Sequence, residues 1–118
     1  MFMPEKKRIK KKIFIEMPRV TDFMASQSQE INDEYQGILR KLEEDGHLSM
    51  PFGEKIPREN LFAIRVINAG NVRIFYVYGT ADRVYGISAY EKKTQTIPLH
   101  ELKLARKIVR LLKQGGLI

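Results

Sequence analysis

The 118-residue chain is long enough to bury one core and short for two domains, and with no cysteine it excludes disulfides, thiolate metal sites and a cysteine nucleophile. No apolar run approaches the roughly 18 residues that cross a bilayer, and no apolar segment of secretory length follows the basic start, so the chain reads as cytoplasmic, with no membrane partner. Its net charge of +7 is unevenly divided: residues 1–12 carry six basic side chains against Glu5, residues 13–60 five basic against ten acidic, residues 61–90 three against one and residues 91–118 seven against two. Basic ends suit a polyanionic partner such as RNA, DNA or the ribosome; a lysine-rich solubility surface is the alternative.

In chain order, residues 1–12 read as a basic flexible arm and residues 13–118 as a single domain. Ile13-Phe14-Ile15 suggests a first strand, ended by Pro18. Ser26 with Gln29 three residues on resembles a capping box. From there Ile31, Tyr35, Ile38, Leu39 and Leu42 fall on one helical face, opposite Asp33, Glu34, Arg40, Lys41, Glu43 and Glu44, and Gly46 is placed to stop the helix. That apolar face is core packing. His47 to Asn60 contains Pro51, Gly53 and Pro57 and reads as a loop. Three strands follow, Leu61–Ile67, Val72–Tyr78 and Arg83–Tyr90, joined by Asn68-Ala69-Gly70-Asn71 and Gly79-Thr80-Ala81-Asp82. Connections this short require antiparallel neighbours. Pro98 opens a last helix with a broad apolar side from Leu99 to Leu112, and Gly115-Gly116 ends it. The expected fold is α+β: a small antiparallel sheet in the order β-α-(α)-β-β-β-α, helices packed on one face, the other face partly open to a ligand.

Alternation along the strands sorts their side chains. Phe62, Ile64 and Val66 belong on the core, which puts Arg65 on the open face. Arg73 is assigned there too, although both faces of its strand are partly apolar. Tyr85, Ile87 and Ala89 are expected on the core, with Gly86, Ser88 and Tyr90 beside the arginines. Arg65, Arg73 and Tyr90 then share one surface, with Lys92 and Lys93 at its rim. Guanidinium groups bind phosphate bidentately, and a tyrosine ring can stack on an unpaired base, so the set suits single-stranded RNA. Ordinary solvent-facing strand residues would look the same from sequence. There is no G-x-G-x-x-G, P-loop or H-E-x-x-H motif. The two histidines, His47 in the loop and His100 in the last helix, lie near no acidic cluster and make a poor metal site. His47 reads mainly as a loop residue beside Gly46, and as a minor candidate for the RNA surface.

Three stretches together resemble the RelE/ParE superfamily of type II toxin–antitoxin toxins, in particular its phage-derived HigB-like branch. The first runs from Tyr90-Glu91-Lys92-Lys93-Thr94-Gln95-Thr96-Ile97-Pro98 into Glu101-Leu102 and Ala105-Arg106. The second is Leu61-Phe62-Ala63-Ile64-Arg65-Val66 with Val72-Arg73-Ile74-Phe75-Tyr76. The third is Leu39 through Gly46-His47-Leu48 with Pro51. The resemblance covers roughly residues 13 to 112. It implies a RelE-like fold and a ribosome-dependent mRNA endonuclease that uses no metal or other cofactor. It also implies two partners, mRNA on the ribosome and a cognate antitoxin, often a helix-turn-helix protein. The implied chemistry is attack of the RNA 2′-hydroxyl on the adjacent phosphate. By position, Arg73 holds the scissile phosphate, Arg65 is a second clamp, and Lys92 or Lys93 completes the basic ring, with Lys93 taken as catalytic. Tyr90 stacks on or orients a base. The chain departs from the family pattern at Ala63, often charged or polar in relatives, and at Ser88 and Ala89, where some relatives carry a histidine or other acid–base group and members differ widely. A toxin or interaction protein of this fold that does not cut RNA, and a plain RNA-binding module using Lys6 to Lys12, are the alternatives.

Overall fold

A computed structural model describes residues 10–118 of the protein. Most of the basic arm expected over residues 1–12 therefore lies outside the described residues. Its last three are held: the amides of Lys11 and Lys12 donate to the Glu43 carbonyl (2.8 and 3.1 Å), and Lys10 Nζ pairs with the Glu43 carboxylate at 3.2 Å.

Strand β1 (Ile13–Glu16) leads at Met17 into helix α1 (Pro18–Ala25), with Pro18 in its first turn. Proline there costs nothing, because its missing N–H would have no intrahelical partner. Pro18 thus does end the strand, and it does so by starting a helix. The apparent capping box at Ser26 does not form. Ser26 closes α1, and the side chain that opens helix α2 (Gln29–Asp45) is Ser28, whose hydroxyl accepts the Ile31 amide at 3.2 Å. Gly46 ends α2 at φ +82°, a conformation that favours glycine, and its amide returns to the Leu42 carbonyl.

The stretch expected to be all loop, His47 to Asn60, contains a short strand, β2 (Gly53–Lys55). It pairs antiparallel with β3 (Phe62–Val66), which pairs antiparallel with β4 (Val72–Tyr78), and that in turn with β5 (Arg83–Glu91). β1 lies beside β5 and runs parallel to it, so the five-stranded sheet, in the order β1-β5-β4-β3-β2, is mixed where an antiparallel one was expected. The long excursion through α1, α2 and the meander allows this, because a parallel neighbour needs a crossover and not a hairpin. Helix α3 (Leu99–Gln114) follows.

The α+β class, the meander and the closing helix are as the sequence predicts. The layering is not. Two apolar clusters flank the sheet. On one side Val20, Met24, Tyr35, Ile38, Leu39 and Leu42 of α1 and α2 meet Ile64, Val66, Val72, Ile74, Tyr76 and Val84. On the other, Ala105, Ile108 and Leu112 of α3 meet Ala63, Phe75, Val77, Tyr85, Ile87 and Tyr90. Helices therefore cover both faces. Each fully buried side chain of this size contributes about 1.5–3 kcal/mol, enough to explain why β4 is apolar on both sides.

A bulge resolves the remaining mismatch. Phe75 pairs with Ser88 but Tyr76 pairs with Gly86, so Ile87 has no partner of its own on β4. The extra residue reverses the alternation within β5. Tyr85 and Ile87, expected on the first core, lie under α3, and Gly86, expected beside the arginines, faces the opposite way, beneath Phe14. A Cβ on Gly86 would sit 2.5 Å from the Phe14 ring.

Candidate active site

Cross-strand pairing places Arg65 directly opposite Arg73, and Arg73 directly opposite Tyr90. Paired residues project to the same side of a sheet, so the three share the α3 face, as the alternation predicts. That face is not open along its length. α3 covers most of it, and the part left uncovered is a groove of about 450 Å³ lined by Arg65, Ile67, Asn71, Arg73, Lys92, Lys93, Thr94 and Gln95.

Two like charges opposite each other on a sheet repel. Arg73 also has only 4% of its side chain exposed, whereas Arg65 retains 20%. Burial lowers the Arg73 pKa from its ordinary value, and the neighbouring Arg65 lowers it further, while Glu54 acts the other way. Arg73 Nη1 donates to Asn71 Oδ1 and to the Val72 carbonyl, both at 3.2 Å. Arg65 Nη1 donates to the Pro51 carbonyl at 3.0 Å. The Nε atoms of both arginines are buried and have no hydrogen-bond partner among the described residues. Two guanidinium groups lining one groove, each with a donor unspent, have the chemistry to bind an anion without rearrangement.

Glu54 is the residue that sequence reasoning misses. It comes from β2, opposite Ala63, and its Oε1 stands 3.9 Å from Arg65 Nε and 4.0 Å from Arg73 Nε. These are ion-pair separations, too long for hydrogen bonds. The carboxylate offsets part of the repulsion between the arginines. It also puts a carboxylate beside arginines whose surrounding sequence signals are all cationic and aromatic. Its only signal was the triplet Gly53-Glu54-Lys55 between two prolines, too short to show an alternation.

Asn71 is a second such residue. Its Nδ2 donates to the Lys92 carbonyl at 2.8 Å, its carbonyl accepts the Lys92 amide at 2.7 Å, and its Oδ1 holds Arg73. It joins the β3–β4 turn to the end of β5 and aims Arg73. Lying two residues before Arg73, it falls on the same face by strand period, which could have marked it.

Lys92 and Lys93 do form the rim. Lys93 is 78% exposed and pairs with Glu91 at 3.7 Å. Tyr90 does not match its expected use. It is 6% exposed, packed at 5.6 Å against Phe75 under α3, and burial raises its pKa. It forms a wall behind Arg73, and no base can stack on it. His47 is not brought to the groove. It is exposed, its Nδ1 lies 3.2 Å from the Asp45 carbonyl, and it lines a separate, mostly apolar cavity of about 440 Å³ with Ile38, Leu48, Met50 and Phe52. Ser88, one of the positions where the chain departs from the family pattern, is buried beside Phe75 with no hydrogen-bond partner among the described residues. Among the described residues no three His, Asp or Glu side chains are grouped to hold a metal ion, and no helix is long and apolar enough to cross a membrane.

The family model described as Phage derived protein Gp49-like matches residues 22–110, from α1 to the last turns of α3, with every residue of the groove inside the match. No curated protein matches the chain.

Proposed function

We propose a function for a chain that belongs to the phage-derived Gp49-like family, within the RelE/ParE-like toxin superfamily: it is the toxin of a type II toxin–antitoxin pair, and it cuts messenger RNA held on the ribosome. The observation that carries the reading is the paired arginines with unspent Nε donors beside a carboxylate. The family is toxin-like and suits an antitoxin partner. A helix-turn-helix type for that antitoxin, and the ribosome as the place of action, belong to the proposal.

In the proposed reaction Arg73 and Arg65 grip the scissile phosphate. Glu54 accepts the proton of the 2′-hydroxyl as its oxygen bonds to phosphorus. The P–O5′ bond breaks, the leaving 5′-oxygen takes its proton from Lys93 or water, and a 2′,3′-cyclic phosphate and a 5′-hydroxyl remain. The fixed arginine donors act where charge grows on the phosphoryl oxygens, the effect that usually contributes most. Lys92 holds the neighbouring backbone, and Tyr90 and Asn71 keep Arg73 in place.

The test is purified protein in a reconstituted translation reaction with a codon-diverse message, followed by mapping of the new RNA ends. Ends carrying a 5′-hydroxyl are expected. Arg73→Ala should lower cleavage at least about a hundredfold, the scale of losing one oxyanion-stabilising donor. An uncut message in the presence of translating ribosomes would sink the nuclease reading.

A further inference from the structure

We propose that the outer face of α3 is a docking surface for the phosphate backbone of folded RNA, separate from the arginine groove. The inference rests on the RNA-directed reading above and names a second contact for the same partner class.

Charge is divided across the sheet. α2, on one face, carries six acidic and two basic side chains, whereas α3, on the other, carries five basic side chains and one acidic, Glu101. The acids of α2 are largely committed: Glu34 to turn amides, Glu43 to Phe14 and Lys10, Asp45 to Lys41. The bases of α3 are not. Lys103, Lys107, Arg110 and Lys113 are exposed and form no ion pair among the described residues, while Arg106 is held by Glu59 at 2.6 Å. Lys103, Lys107 and Arg110 stand at i, i+4 and i+7, one stripe of a helix. From Lys103 to Lys113 the cations span about 15 Å of helix axis. α3 and the groove lie on the same side of the sheet, and residues 94–102, between Lys93 and Lys103, carry no Lys or Arg and one acid, Glu101, so the two basic patches are separate.

A phosphate backbone is the occupant that fits. Protein partners are anchored by a buried apolar cluster, and the exposed leucines of α3, Leu99 and Leu111, stand about 18 Å apart along the axis. Glu59, which shares a pocket with Arg110 and Lys113, is paired with Arg106; the row Lys103, Lys107 and Arg110 suits regularly spaced phosphates, and its contribution depends steeply on salt.

The experiment uses the full chain and a short RNA hairpin without ribosomes, with fluorescence anisotropy read across a salt series. Lys103, Lys107 and Arg110 are replaced together by alanine, which keeps the helix, and the thermal midpoint confirms the fold. The slope of log affinity against log salt is expected to fall by about 2 to 3, and affinity at low salt by about tenfold or more. Arg73→Ala should leave the slope within about one of the unsubstituted protein. If the triple variant keeps its slope and affinity, the surface is overturned. It is overturned equally if the variant loses binding only to anionic vesicles or an acidic peptide. A wild-type protein that cuts no message yet shows the α3-dependent slope would sink the nuclease reading and leave this surface standing.

Discussion

Arg73 owes its character to its neighbours. Asn71 and the Val72 carbonyl hold its Nη1, Tyr90 walls it in, and Arg65 and Glu54 set the field around it. A guanidinium buried this far with an Nε donor left without a hydrogen bond is costly unless a ligand completes it. In the proposed reaction Glu54 is the residue on which binding and chemistry separate. With Glu54 as the proposed proton acceptor, Glu54→Gln should lower kcat by about 10²–10⁴. The same change removes the negative charge facing both arginines, so RNA affinity should hold or rise. Single-turnover rates at saturating RNA, with affinity measured in parallel, decide the matter. A variant with unchanged rate would show Glu54 to be a charge balance alone.

Among the elements, the β3–β4 turn is the one whose support comes from elsewhere. Glu34 of α2 accepts the amides of Ile67, Asn68 and Ala69 at distances from 2.7 to 3.1 Å. A carboxylate bound to several backbone donors makes strong, charge-assisted bonds. It locks α2 to the turn that leads into Asn71 and Arg73. Glu34→Ala should destabilise the protein by about 1.5–3 kcal/mol, and chemical denaturation would measure it. RNA cleavage should fall as well, because the turn places Asn71. An unchanged midpoint would show that water replaces the carboxylate.

At the scale of the whole molecule, Tyr35 ties the α1–α2 layer to the sheet. It is fully buried, and its hydroxyl donates to Glu16 Oε2 of β1 at 2.6 Å. Burial, with that hydrogen bond and the Glu16 charge, pushes its pKa far up. The folded pKa therefore lies above the unfolded value of about 10, and the contribution to stability is fully present below roughly pH 10. It is lost as pH rises beyond that value, where the unfolded chain gives up the proton first. Stability should fall above about pH 10. Tyr35→Phe should cost about 1–2 kcal/mol near neutral pH, through the lost bond, and flatten the alkaline decline. Denaturation midpoints from about pH 7 to pH 11 test both parts. A variant that declines as steeply as the parent would assign the alkaline loss to other groups, such as the buried Tyr76.

The α+β class, the meander, the apolar stripe of α2, the stop at Gly46, the closing helix and the juxtaposition of Arg65 with Arg73 are all written along the chain. Each rests on local period, turn chemistry or a two-residue alternation, which near neighbours impose. The remainder belongs to the tertiary structure. Parallel pairing of β1 with β5, the covering of both faces and the bulge at Ile87 depend on contacts between distant segments, which no local period records. So does the site itself. Glu54 reaches the arginines because β2 adds to the sheet edge, while Tyr90 leaves the surface because α3 lies over it. His47, though it sits just past the legible end of α2, faces a different cavity. Charge and aromatic character can be seen residue by residue. Which of those groups meet, and which are shut away from solvent, depends on how the two helical layers close on the sheet.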